Sequence, residues 1–432
     1  MGGGSGKDRG GACPRRGECR MSEQSFRQEQ DAVSLGALTR VLVYLAAMTS
    51  SWSAVRVGSL NVSDVLLVLA LLGLATEALV QTALVRVRVW MILPTLAGLL
   101  LVARDVIVWG RALNGAYLGE GLSPLQMLTR VSLSTLGIAL VTAGVGARDR
   151  QAALRAIWWW LTGVCVSAAF ALAQAMGLAS LTLQQTNGAG RFAGLSSHPN
   201  ALAQTAVLAI PLALVAVLRS RGSGRFMSFV LVILLGAAVF QTGSRAGLLV
   251  GFATLVLGAL EYARRAKALR WALPICLFVV AAVVIYGSRV IGSTRFASDS
   301  GAIQSNEGRI QSINDGWSSF SSHPVFGAGF GIWVGELTPL VLLASGGGVF
   351  LAIYSWFALA PARSLWIARA DPLAAALLMD VVLVLILGLL NNGFTERYTF
   401  WPALLGYALF GAGRSSVRRD RVTVLSAGEA RR

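Results

Sequence analysis

The chain has 432 residues, 55% of them hydrophobic and only 13% charged, with a mean hydropathy of +0.66. That is more apolar material than a soluble core of this length needs. The apolar runs are continuous rather than alternating, which excludes a barrel and leaves helices as the backbone that satisfies its own peptide groups in lipid. The formal charge of +17 comes from arginines gathered at the ends of apolar runs. Such clustering fits helix orientation and anionic headgroups, and no base-stacking or groove-reading module argues for nucleic acid.

Residues 1–30 read as a disordered tail. It contains Cys13 and Cys19 in CPRRGEC, with no second Cys or His pair to complete a zinc site. A disulfide is not expected in a cytoplasmic tail. GGGSGK lacks the glycine spacing of a phosphate loop and has Asp8 where Ser or Thr should follow. No cleavable signal peptide is expected, because the first apolar run starts too far in and has no small-residue cleavage site.

From Leu35 onward, apolar stretches of 16–23 residues recur, each long enough to cross a hydrocarbon core of roughly 30 Å as a helix. They predict twelve spans: 35–54, 62–80, 89–108, 126–146, 155–177, 199–218, 226–242, 245–263, 270–291, 338–360, 372–391 and 398–413. Cys165 and Cys276 fall inside spans. The seventh and eighth are nearly one run, broken at Gln241-Thr242-Gly243-Ser244-Arg245, which predicts a tight turn. Residues 415–432 read as a second disordered tail. The expected fold is all-α: a polytopic membrane domain over 31–414 with one large extracytoplasmic loop.

Placing the N-terminus in the cytoplasm puts 27 of the 37 Lys and Arg on the inner side and 8 on the outer. The positive-inside rule then orients the chain with both termini in the cytoplasm and supports an even number of spans. The large outer loop runs from 292 to 337 and is rich in Gly, Ser and Asn. A shorter polar outer loop covers 178–199.

Outer arginines are the exceptions to this rule, so they are candidates for chemistry. Arg191 lies in GAGRFAGLSSHPN, Arg245 in QTGSRAG and Arg309 in NEGRIQSINDGW. A guanidinium binds phosphate through a planar fork of donors and keeps its charge at any relevant pH. Converging at the outer leaflet, these three would receive a lipid diphosphate. Singly, each could merely snorkel to headgroups. His198 and His323 both occur as Ser-Ser-His-Pro, where a turn or cap role competes with catalysis. Asn200 follows His198 closely. Glu336 precedes the tenth span. It could cap that helix through the dipole, or act as a general base toward an acceptor hydroxyl. Asp380 interrupts the apolar run LLMDVVLVLILG. An intramembrane acid is a functional candidate by default, and a structural role pairing with Ser, Thr or Arg is the alternative. Glu396 and Arg397 could pair locally or face the outer cavity. An aromatic belt explains most tryptophans, whereas Trp317 and Trp333 in the large loop could stack on sugar rings.

These motifs, in the order RFAGLSSHPNALAQ, SRAG, GRIQSINDGWSSFSSHPVFGAGFG and ASGGGVF, resemble the O-antigen ligase and polymerase superfamily of bacterial envelope glycosyltransferases. The resemblance covers mainly 186–350. It implies transfer of a glycan from an undecaprenyl diphosphate carrier to a glycan, lipid or protein acceptor, without metal or other cofactor, outside the bacterial cytoplasmic membrane. It places Arg245 and Arg309 at the diphosphate; Arg191, His198, Asn200, Trp317 and Arg397 are further substrate-binding candidates on their own residue chemistry. The family's catalytic histidine shortly before the glycine-rich part of span ten is absent, and Glu336 falls in or near its place. That departure favours a polymerase, or a relative with a carboxylate base, over a ligase. The rival readings are a twelve-span secondary transporter, for which Asp380 speaks, and a non-catalytic scaffold for envelope assembly.

Overall fold

The computed structural model describes residues 35–57, 60–81, 87–110, 123–180, 191–266, 299–330, 335 and 337–411. The described chain is almost entirely helical, apart from a two-residue-per-strand hairpin, β1 (Arg56–Val57) and β2 (Leu60–Asn61). The helices are α1 (Ala37–Thr49), α2 (Val62–Gln81), α3 (Val89–Ile107), α4 (Pro124–Ser132), α5 (Ile138–Arg148), α6 (Arg150–Ala175) and α7 (Pro199–Arg219). They continue with α8 (Ser223–Gln241), α9 (Arg245–Ala266), α10 (Asp299–Ser322), α11 (Thr338–Leu359), α12 (Ala362–Ile367), α13 (Pro372–Gly388) and α14 (Trp401–Gly411). A π-helical segment, Leu133–Gly137, joins α4 to α5 without a break.

Seven helical stretches among the described residues are long and apolar enough to cross a membrane: Val62–Val80, Val89–Ile107, Pro124–Arg148, Arg150–Ala175, Pro199–Arg219, Ser223–Gln241 and Thr338–Ile367. Ala37–Thr49 and Pro372–Gly388 are apolar but shorter. Two more expected spans coincide with α9 and α14. The expected span at 270–291 lies outside the described residues, as do both expected tails. The large loop is less irregular than its composition suggests. Residues 299–322 form a 24-residue helix.

Helix starts are fixed by side chains and proline. Asp149 accepts from the Ala152 N–H at 2.8 Å to open α6, and Asp371 accepts from the Leu373 N–H at 2.7 Å to open α13. Ser123 and Gln126 form a reciprocal capping box at α4. Pro124, Pro199 and Pro372 each occupy the first helical position, where a missing N–H costs nothing.

The centre of the bundle is α7. It packs against α6, α8, α9 and α13, and its apolar residues from Leu202 to Val217 are nearly all buried. A helix apolar on every side belongs inside a bundle. The peripheral helices α2, α3, α8 and α9 instead expose large apolar side chains such as Leu72, Leu100, Ile233 and Leu249, as a lipid-facing ring requires.

Contacts between helix ends sort into two sets. At one end Arg148 meets Glu77 at 3.6 Å, Arg40 meets Asp149 at 3.7 Å and Arg219 meets Asp371 at 3.1 Å. At the other, Ser53 bonds Ser197, Thr338 donates to the Asn391 carbonyl at 3.1 Å and Tyr398 donates to Gln204 at 2.6 Å. The residues in this second set are ones that arginine counting assigns to the outer side or to outer span ends.

Candidate functional site

At the second end, Arg191, His198 and Asn200 gather beside the α8–α9 turn that leads into Arg245. Gly243 adopts φ +59°, and the Ser244 hydroxyl accepts from the Gly247 N–H to start α9. Arg191 reaches back onto this turn from more than fifty residues earlier. Its Nε donates to the Thr242 carbonyl at 2.8 Å, and its terminal nitrogen donates to the Asn200 side-chain oxygen at 2.7 Å. The Phe192 N–H bonds the Gln241 carbonyl, so the 191–193 segment is fastened along the turn.

Residues 194–197 are equally tied down. Gly194 donates to Gln174, Leu195 to Ser167 and Ser197 to Ser53, while the Ser196 hydroxyl reaches the Ser51 carbonyl. His198 takes the capping role: its Nδ1 accepts from the Asn200 N–H at 3.1 Å at the start of α7. Arg245 is the first residue of α9, and it is exposed. Two helix N-termini, α7 and α9, therefore open beside Arg191 and Arg245. Helix N-termini carry partial positive charge, here with the Asn200 and Gly247 N–H groups already capped by His198 and Ser244. With two guanidinium groups added, the corner is suited to a phosphate-bearing group.

The second feature of this end is a break inside α11. Gly347 has φ 66° and ψ −167°, far from helical values. The break frees carbonyls and N–H groups in the middle of an apolar helix, and the HPVFGAGF segment satisfies them. Ala328 and Gly329 donate to the carbonyls of Ala344 and Ser345 at 2.7 and 2.9 Å. Gly348 and Val349 donate to the carbonyls of Pro324 and Val325. Irregular backbone at membrane depth survives only when protein covers it.

From the other side α3 clamps the same segment. The Arg104 guanidinium donates to the Phe326 and Gly327 carbonyls, and the buried Asp105 carboxylate accepts from the Phe330 N–H at 3.0 Å. Gly329 has φ +101°, and a Cβ there would lie 2.3 Å from the Asp105 oxygen, so no larger residue fits. None of this is visible from spacing alone. The signals were the Gly346-Gly347-Gly348 run and the charged pair Arg104-Asp105 near the end of a span.

Leading into the docked segment, α10 packs on α11. Its more buried positions are Arg309, Ser312, Gly316 and Phe320, a helical stripe turned toward the bundle. Arg309 thus belongs to the inward side of α10. Trp317 is 58% exposed and rests against Phe320. Glu336 and Trp333 lie outside the described residues.

Arg397 is placed differently from the other arginines. It is 4% exposed, and its Nε and one terminal nitrogen bond both oxygens of Asp64 at 2.6 and 2.8 Å. Another terminal nitrogen donates to the Thr395 carbonyl at 2.9 Å. The partner is thus Asp64 at the start of α2 rather than Glu396. Removing one member of a buried pair leaves an uncompensated charge, at a cost of about 3–5 kcal/mol. Arg397→Ala is expected to lower the thermal unfolding midpoint of the detergent-solubilised protein. Replacing both residues by leucine is expected to recover most of that loss. If Arg397→Ala is as stable as wild type and only transfer falls, the guanidinium serves substrate instead.

Asp380 is 1% exposed, and neither carboxylate oxygen has a hydrogen-bond partner among the described residues. The expected pairing with Ser, Thr or Arg is not formed among the described residues.

Residues 229–341 match the family model described as O-antigen ligase. No curated protein matches the chain. The matched stretch takes in the α8–α9 turn, Arg245, Arg309, the docked 323–330 segment and the start of α11. Arg191, His198, Asn200 and Arg397 stand outside it.

Proposed function

From the premise that the chain carries an O-antigen ligase family region at residues 229–341, we propose that it is a glycosyltransferase of envelope polysaccharide assembly. It moves a glycan from an undecaprenyl diphosphate carrier to an acceptor, acting as a polymerase or a ligase in the bacterial cytoplasmic membrane. The observation that carries this reading is the Arg191 clamp on the turn that presents Arg245, at an end where two helices start. In this reading that end faces away from the cytoplasm, as the arginine distribution requires.

Arg245 and Arg309 hold the diphosphate, with the polyprenyl tail against the apolar helices. Glu336 accepts the proton of the acceptor hydroxyl. The acceptor oxygen then bonds to the anomeric carbon as the bond from that carbon to the carrier diphosphate breaks. The electron pair leaves with the diphosphate, and the arginines stabilise the growing charge. Arg191 and Asn200 act behind this, holding the turn so that Arg245 needs no reorganisation.

A general base contributes roughly 100- to 10,000-fold. Glu336→Gln is therefore expected to slow transfer by at least about 100-fold while carrier lipid still binds. Unchanged glycan products in that variant would favour the scaffold reading. Deleting the gene separates the two enzyme types. A surface ladder collapsing to single units means polymerase, and intact chains stranded on the carrier mean ligase. Wild-type glycans after deletion would refute both. Asp380 is the observation favouring a carrier, because its buried carboxylate has no hydrogen-bond partner among the described residues. Proton-coupled uptake lost in Asp380→Asn, with glycans intact in Arg245→Ala, would establish that alternative.

A further inference from the structure

A groove of about 510 Å³ opens between α10 and the end of α3. That volume is within the usual range for small-molecule sites, about 300–1,000 Å³. Trp109, Asp315, Ser318, Ser319, Ser322 and His323 line it. Asp315, Ser318 and Ser322 recur at helical spacing, so they form one face of α10, and all three are exposed. Arg309 and Gly316 lie on a different face, so the groove is separate from the stripe that packs on α11.

The wall opposite is preset. The Arg104 guanidinium lies 4.5 Å from the Trp109 ring centroid, and the His323 ring meets Trp109 edge-on at 5.8 Å. Arg104 is itself fastened to the carbonyls of Phe326 and Gly327. The indole is therefore held before any ligand arrives.

The lining decides the chemistry. Hydroxyls, one carboxylate and an imidazole are donors and acceptors for hydroxyl groups. An indole offers an apolar flat surface with a polar edge. Among the described residues no Lys or Arg lines the groove, and the one nearby guanidinium, Arg104, is already engaged with Trp109 and with the Phe326 and Gly327 carbonyls, while the serines give an acyl chain no apolar bed. What matches is a short run of sugar rings, with their C–H faces on Trp109 and their hydroxyls on the α10 face. We propose that this groove is a glycan subsite that binds sugar units of the transferred chain, away from the diphosphate. This rests on the glycosyltransferase reading for its substrate, and it assigns the stacking role to Trp109 rather than to Trp317 or Trp333.

The test uses the full-length protein in nanodiscs. The probe is the reducing oligosaccharide released by mild acid from the host's own lipid-linked glycan pool. Its binding is followed by tryptophan fluorescence and calorimetry, neither of which needs catalysis. Trp109→Ala is expected to weaken binding by at least about five-fold, the scale of one aromatic stacking contact. Ser318→Trp, at an exposed position that leaves the core untouched, is expected to block the groove and do the same. Arg245→Ala is expected to bind the free oligosaccharide like wild type. Binding unaltered in both Trp109→Ala and Ser318→Trp overturns the subsite, even if transfer proceeds. Sensitive binding in a protein that transfers nothing upholds the subsite and removes the enzyme reading instead.

Discussion

Arg245→Ala is expected to lower glycan transfer by roughly 100- to 1,000-fold, the loss seen when one preorganised donor to a developing anion is removed. Three features set the size. The residue opens α9, so helix-terminal N–H groups point the same way as its charge. It follows a turn that Arg191 fastens through Thr242 and Asn200, so it is held in place before substrate arrives. Its fork of donors also matches two phosphate oxygens, which a lysine point charge does not. Arg245→Lys is therefore expected to recover only part of the activity. The measurement is single-turnover transfer from a purified lipid-linked donor in proteoliposomes. The fall should appear in the chemical step as well as in KM, because charge on the leaving diphosphate grows in the transition state. Arg191→Ala should give a smaller loss that Arg191→Lys does not rescue, because the clamp requires two separate donors.

The largest structural effect is expected for Gly347→Val. The backbone there is at φ 66° and ψ −167°, a region essentially closed to residues with a side chain. A Cβ would also lie 2.2 Å from the Val325 carbonyl oxygen and 2.3 Å from its carbon. Strain of that kind costs about 1–3 kcal/mol on its own, and the overlap adds to it by forcing the 323–330 segment off α11. Four backbone hydrogen bonds then lose their partners in an apolar setting. We expect a fall of at least about 3 kcal/mol, read as a lower unfolding midpoint and less monodisperse protein in detergent. Gly348→Ala is the control. A Cβ there meets nothing closer than the Pro324 oxygen at 3.7 Å, so that variant should behave as wild type. Equal stability of both variants would contradict the docked arrangement.

Much of the bundle could be read from apolar runs alone, because lipid permits few backbones and run length fixes which segments cross. The α8–α9 turn was legible for a similar reason. A polar break inside a long apolar run has only a tight turn available to it. The helix α10 was not legible. Its stripe of Arg309, Ser312, Gly316 and Phe320 holds a single apolar side chain, so the segment reads as loop composition when the spacing is ignored. Pairings across long separations were also hidden. Arg397 sits 333 positions from Asp64, and Arg104 more than 220 from the segment it clamps. Local sequence marks each as unusual but cannot name its partner. Asp380 shows the limit from the other side. The sequence flagged it, yet the pairing expected for it is not formed among the described residues, and its carboxylate stays buried.

The central claim is that arginines at one end of the bundle grip a lipid diphosphate. The most direct measurement is equilibrium binding of undecaprenyl diphosphate to the protein in nanodiscs, for wild type and for the Arg245→Ala and Arg309→Ala variants. Losing a charged hydrogen bond costs about 1.5–3 kcal/mol, so the account predicts roughly ten- to hundred-fold weaker binding in each single variant. It further predicts that undecaprenyl monophosphate binds less tightly than the diphosphate to wild type. Equal affinity of all three proteins for the diphosphate would contradict the account.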